Sequence, residues 1–134
     1  MPKPPVSDAV SDLLGRPHKA VMATADANGQ PILVATWYLW EDGRVLLNMD
    51  KRRKRVARLA EDPRVSLLVL ADDWDTYVSL QGRVVKTYDD LDMSDINRIA
   101  VHYGEDGFAG TPESRRVSFL VEVERWFGWG AVRS

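Results

Sequence analysis

The 134-residue sequence contains no cysteine, which excludes disulfides, thiolate metal sites and cysteine nucleophiles. Histidine is nearly as scarce: His18 and His102 stand far apart, without carboxylates at the spacings a zinc site requires. No metal is expected. No apolar run approaches the ~20 residues that span a bilayer, and the opening MPKPPVSD lacks a signal-peptide core. The expected address is the cytoplasm, with no membrane partner. GxSxG, P-loop and GxGxxG patterns are missing, so hydrolase, P-loop and Rossmann readings have no motif. A large charge excess is missing too: the formal net charge of −2 argues against a general nucleic-acid binder.

The length suits one domain over residues 1–134, and 45% hydrophobic content is enough for a real core. Pro2, Pro4 and Pro5 stiffen a leader over residues 1–6 that is expected to be mobile. Ser7 caps a short helix through Leu14, and Gly15 stops it. Residues 19–25 read as a strand, Asn28-Gly29 as a tight turn, and 30–40 as a β-branched, aromatic strand. Residues 41–43 turn the chain into a third strand over 44–49, which predicts a meander. Asp50 is expected to cap a helix to Glu61, and residues 64–70 form a buried strand. A long strand over 76–86 is interrupted at Gly82, where a bulge or barrel corner is expected. Asp89 or Asp92 caps a helix through about Tyr103, with Ile96, Ile99 and Ala100 as its apolar stripe. A glycine-rich loop leads to the last strand, 116–124, which buries Val117, Phe119, Val121 and Val123. Six strands with inserted helices predict a mainly β, antiparallel, closed or nearly closed barrel.

One constellation carries chemistry. Lys51, Arg52, Arg53, Lys54 and Arg55 follow Asp50 at the expected start of a helix. Cations there oppose the helix dipole, each losing roughly 0.3–1 kcal/mol when exposed. A bound phosphate relieves that cost, because backbone N–H groups and guanidinium forks converge on one anion. Solvated surface charge and a nucleic-acid patch explain the same run, and the residues alone leave all three readings open. Among the aromatics, Trp37 and Tyr38 suit a core or an interface. Trp74, in a polar loop, suits a ligand site, and Tyr77 suits either setting.

Four segments resemble the pyridoxamine 5′-phosphate oxidase-like split β-barrel superfamily: KAVMATADANGQPILVATWYLWEDGRVLLNM, DKRRKRVARLAEDPRVSLLVL, TYVSLQGRVV and RRVSFLVEVERWFGWG. The second is the most specific, with a basic pair, a short helix, Asp-Pro-Arg and an apolar strand. Within the superfamily the chain is most similar to small reductases that use the deazaflavin coenzyme F-420. That resemblance implies that Lys54 and Arg55, with Arg53 beside them, hold the cofactor phosphate. It also implies that Asn48, Met49 and Asp50 line the ring through backbone groups, and that Ile32, Leu33 and Val34 form its floor. Tyr77 and Trp74 come from a neighbouring loop and strand, with sites between the subunits of a homodimer. The chain stops soon after its last strand, which argues against vitamin B6 oxidation. The resulting expectation is an F-420-dependent reductase acting on an unsaturated small molecule. An FMN-binding reductase or non-catalytic carrier is the alternative, and a nucleic-acid module the lesser one. No side chain stands out as a general acid, which leaves solvent or Tyr77 as proton source.

Overall fold

Two tight turns lay down the first four strands of the computed structural model, which describes residues 1–133. Asp26 Oδ1 accepts from the backbone N–H of Asn28 and of Gln30, both at 2.9 Å, and closes the turn between β1 (Lys19–Ala25) and β2 (Pro31–Thr36). Asp42 and Gly43, at φ 53° and 73°, form the left-handed pair that suits a two-residue hairpin between β3 (Leu39–Glu41) and β4 (Arg44–Asp50). The strand expected over 30–40 is therefore two strands. Between them Tyr38 is buried, its hydroxyl donating to the Leu14 carbonyl at 2.8 Å.

With β5 (Arg64–Leu70), β6 (Tyr77–Asp89) and β7 (Arg116–Trp129), the sheet has seven antiparallel strands in the order β2-β1-β5-β6-β7-β4-β3. The expected meander does not form. β2 and β3 end on opposite edges, because β4 pairs with β7 rather than with β2. The seventh strand arises from the break after Thr36, and β7 runs on to Trp129, well past the expected end at Glu124. The result is a split β-barrel, mainly β with helices inserted. A register shift falls between Gln81 and Gly82, and a Cβ at Gly82 would collide with the Glu122 carbonyl oxygen.

The inward face of the barrel carries Met22, Leu47, Met49, Leu67, Leu80 and Phe119. A smaller cluster of Leu39, Leu46, Ile96 and Ile99 lies between the outside of β3–β4 and α3 (Ser94–His102). β4 is thus covered on both faces: Val45, Leu47 and Met49 enter the barrel, while Leu46 and Asn48 face α3. Asp92, one of the two expected caps, accepts from Ser94 N at 3.1 Å through Oδ1, while Asp90, which was not expected, supports the next residues of α3. Its carboxylate accepts from the backbone N–H of Asp95 at 3.2 Å and of Ile96 at 3.0 Å. Helix α1 (Asp8–Leu14) begins as expected, with Ser7 Oγ accepting from Val10 N at 3.2 Å. The leader is tied down: the Pro2 carbonyl accepts from Trp126 N and the Lys3 carbonyl from Trp126 Nε1, both at 3.0 Å.

Candidate functional site

The basic run sits where β4 leaves the sheet and α2 (Lys54–Glu61) begins. Asp50 does not cap that helix. Its Oδ1 accepts from the backbone N–H of Arg52 at 2.9 Å, and its two oxygens take Arg52 Nε and Nη2, each at 2.9 Å. Two residues suffice to close that fork, so Asp50 is spent on a local turn and held well below the usual carboxylate range by the Arg52 guanidinium. The N-cap position falls to Arg53, which offers no side-chain acceptor. Lys51 and Arg52 belong to the turn, and Lys51 lies 3.9 Å from Asp89.

Arg53, Lys54 and Arg55 are left. Among the described residues none of the three has a carboxylate within ion-pairing range. Arg55 is half-buried, and its Nε is buried without a hydrogen-bond partner. Burial, then the charges of Arg53 and Arg58, push its guanidinium below the ordinary range. A buried donor without an acceptor costs about 1–3 kcal/mol, more when charged, a cost that an anion placed at this corner would relieve.

One member of the corner escaped the sequence reading. Arg116, the first residue of β7, pairs with Asp50 across the β4–β7 ladder. Its Nε donates to Asn48 Oδ1 at 2.8 Å, and the Phe108 ring lies 4.8 Å from the guanidinium carbon. Burial lowers its pKa, Asp50 and Asp90 act against that, and Arg53 and Arg55 add to the lowering. The only sequence signal was the basic pair Arg115-Arg116 opening the last strand.

The other expected site residues divide into two groups. Asn48 and Met49 have buried side chains, so only their backbone can reach a ligand. β3 pairs with β4 only up to Leu46, so residues 47–50 have no ladder partner on that side, although Leu47, Asn48 and Met49 are buried as whole residues. Ile32, Leu33 and Val34 alternate along the edge strand β2. Val34 packs on the barrel core while Leu33, 67% exposed, points the other way. Leu33 shares its face with Tyr77, near the start of β6, where Phe127 and Trp129 extend an aromatic ladder at centroid spacings of 6.2 and 6.1 Å. Trp74 stands 80% exposed in the β5–β6 loop. Tyr77 and the basic corner occupy opposite ends of β6, roughly 40 Å apart along the strand path. One protomer does not bring them together. Two open clefts, one walled by Thr24, Arg64, Ser66 and Gln81 and the other by Lys19, Thr36, Trp37 and Tyr103, include neither Lys54 nor Arg55. His18 and His102 join no metal-ligand cluster among the described residues, and no described helix is long and apolar enough to cross a membrane.

Comparison with known proteins places this geometry in a family. The pyridoxamine 5′-phosphate oxidase family profile matches residues 6–130. No curated protein matches the sequence. Among solved structures, an F-420 reductase superimposes with a TM-score of 0.80 at 21% identity, covering 87% of this chain and 94% of its own. A conserved hypothetical protein of Mycobacterium tuberculosis gives 0.69 at 24% identity, with 96% and 88% covered. General stress protein 26 of Bacillus anthracis gives 0.66 at 12%, with 91% and 92% covered. At these identities the structural likeness is one of fold. The match across nearly the whole chain shows that it belongs to the pyridoxamine 5′-phosphate oxidase family of split β-barrels.

Proposed function

We propose that this chain is an oxidoreductase that holds a flavin-type cofactor, with coenzyme F-420 favoured, at the corner between β4 and α2. The observation that carries the reading is Arg55: a half-buried guanidinium with an orphaned buried Nε, among cations without a paired carboxylate. A phosphate supplies the acceptor that Arg55 lacks and the negative charge that Arg53 and Lys54 lack. The residues present therefore fit the phosphate of either cofactor. The fold likeness to an F-420 reductase tilts the choice toward the deazaflavin, and FMN on the same scaffold is the alternative.

In this reading Lys54 and Arg55 grip the phosphate, and the open edge of β4 beyond Leu46 orients the ring through backbone groups. Ile32 and Val34 supply an apolar wall, which keeps water from the reacting face. A reduced cofactor of this type supplies a hydride equivalent to an unsaturated substrate. A second copy of the chain brings its Leu33 and Tyr77 face to complete the pocket, which accounts for the separation of those residues from the basic corner within one protomer. A nucleic-acid role is disfavoured because the basic run is broken up: Arg52 is bound to Asp50 and Lys51 approaches Asp89.

Titrating the purified protein with F-420 and with FMN, following each chromophore's visible absorption, tests the reading. Saturable binding of one of them is expected. Binding of neither at micromolar concentrations would sink it.

A further inference from the structure

We propose that Arg116 is a further anion-binding residue of this site and that Asn48 is the positioning residue that aims it. The assignment rests on the cofactor reading above and deepens it. Arg116 enters from β7, far downstream of the basic run, yet faces Asp50 across the β4–β7 ladder where that run begins, and Lys51 N donates to the Arg115 carbonyl at 2.7 Å. Asp50, its cross-strand partner, cannot neutralise it by contact, since both Asp50 oxygens hold Arg52. No carboxylate among the described residues lies within ion-pairing range of Arg116.

Its protein contacts instead set its direction. Nε donates to Asn48 Oδ1 at 2.8 Å, Nη2 reaches the Asn48 carbonyl at 3.4 Å, and Phe108 covers one face of the fork. Nη1 makes no hydrogen bond among the described residues. A planar guanidinium fixed along one edge and one face has only its far edge left, which suits an oxyanion better than a flexible ammonium would.

Asn48 cannot turn away from this task. Its Nδ2 donates to Asp90 Oδ2 at 3.1 Å and to Ser118 Oγ at 2.9 Å, so the amide oxygen must face Arg116. Ser118 in turn donates to Asp95 Oδ2 at 2.7 Å, and Asp90 is pinned by the backbone of α3. Flipping the amide would set its NH2 against a guanidinium and its oxygen against a carboxylate. Arg116 is therefore aimed by β4, β7 and α3 together.

The test compares two cofactor pairs on the full chain: FMN with riboflavin, and F-420 with its phosphate-free deazaflavin chromophore. For whichever pair the wild type binds, Arg116→Ala should weaken the phosphate-bearing member about 10- to 100-fold and leave the phosphate-free member unchanged. Arg116→Lys should recover part of that loss. Asn48→Ala should reproduce the selective loss. Ser118→Ala, which loosens Asn48 without touching Arg116, should show a smaller one in the same direction. If Arg116→Ala weakens both members equally, or neither, Arg116 is no anion ligand. If the Asn48 and Ser118 variants lose melting temperature but keep the wild-type ratio between members, the positioning role is overturned. A wild type that binds none of the four ligands, or binds both members of a pair equally, overturns the cofactor reading itself.

Discussion

Arg52 and Arg55 are separated by two residues and have opposite environments. Arg52, largely exposed, spends its fork on the half-buried Asp50, and a pair with one partner in solvent is worth little. Arg55 keeps a buried donor without a partner. Arg52→Ala should therefore leave cofactor affinity almost unchanged, whereas Arg55→Ala should cost on the order of 1.5–3 kcal/mol, the usual worth of a hydrogen bond to a charged group. Parallel titrations of the two variants check this, and equal effects would show that the run acts only through its summed charge. The basic run was plain in the sequence. Its division was not, because helix start and turn differ by a few residues, and Asp50 serves either a cap or an Asx turn. Arg116 was hidden for another reason. Its place opposite Asp50 depends on the pairing of β4 with β7, a contact between distant stretches that no local pattern records.

At the scale of elements, α3 is held by carboxylates rather than by a regular cap, since Met93 stands at its N-cap in a left-handed conformation. Burial alone would raise the Asp95 carboxyl. Donation from Tyr88, Ser118 and Arg98 outweighs burial and holds it below its ordinary value. A carboxyl depressed in the folded state contributes stability above its unfolded pKa of about 3.9, and that contribution fades as pH falls below it. The melting temperature should therefore decline below about pH 4, and Asp95→Asn should flatten that decline. An unchanged acid slope in the variant would show that the network carries no such linkage. Turn chemistry made the two hairpins legible, through Asn28-Gly29 and Asp42-Gly43. Their dispatch to opposite edges of the sheet was not legible, because adjacent hairpins with these turns suit a meander equally well. The support of α3 by Asp92 was legible, whereas the added support by Asp90 was not, as three aspartates compete over residues 89–92.

For the whole molecule, the uncovered outer surface of β2, β1, β5, β6 and β7 is the largest consequence of the topology. Leu33, Leu68, Leu70, Tyr77, Phe127 and Trp129 line it, all half-buried or exposed. A sheet face with this many uncovered apolar side chains suits docking, and the cofactor reading assigns it to a second copy of the chain. Light scattering should return twice the chain mass, and Leu33→Asp should shift it toward the monomer while weakening cofactor binding. A wild-type monomer at micromolar concentration would remove this assignment. Within one copy, β4 has a different significance. It is the wall common to the barrel interior and the pocket under α3, with odd-numbered residues serving one and even-numbered residues the other. A slip by a single residue would carry Asn48 into hydrocarbon and Leu47 among carboxylates, so alternative alignments of this strand are forbidden from both sides at once. The two packing regions are therefore expected to melt as one cooperative unit, with the corner between β4 and α2 loosening only when the barrel does.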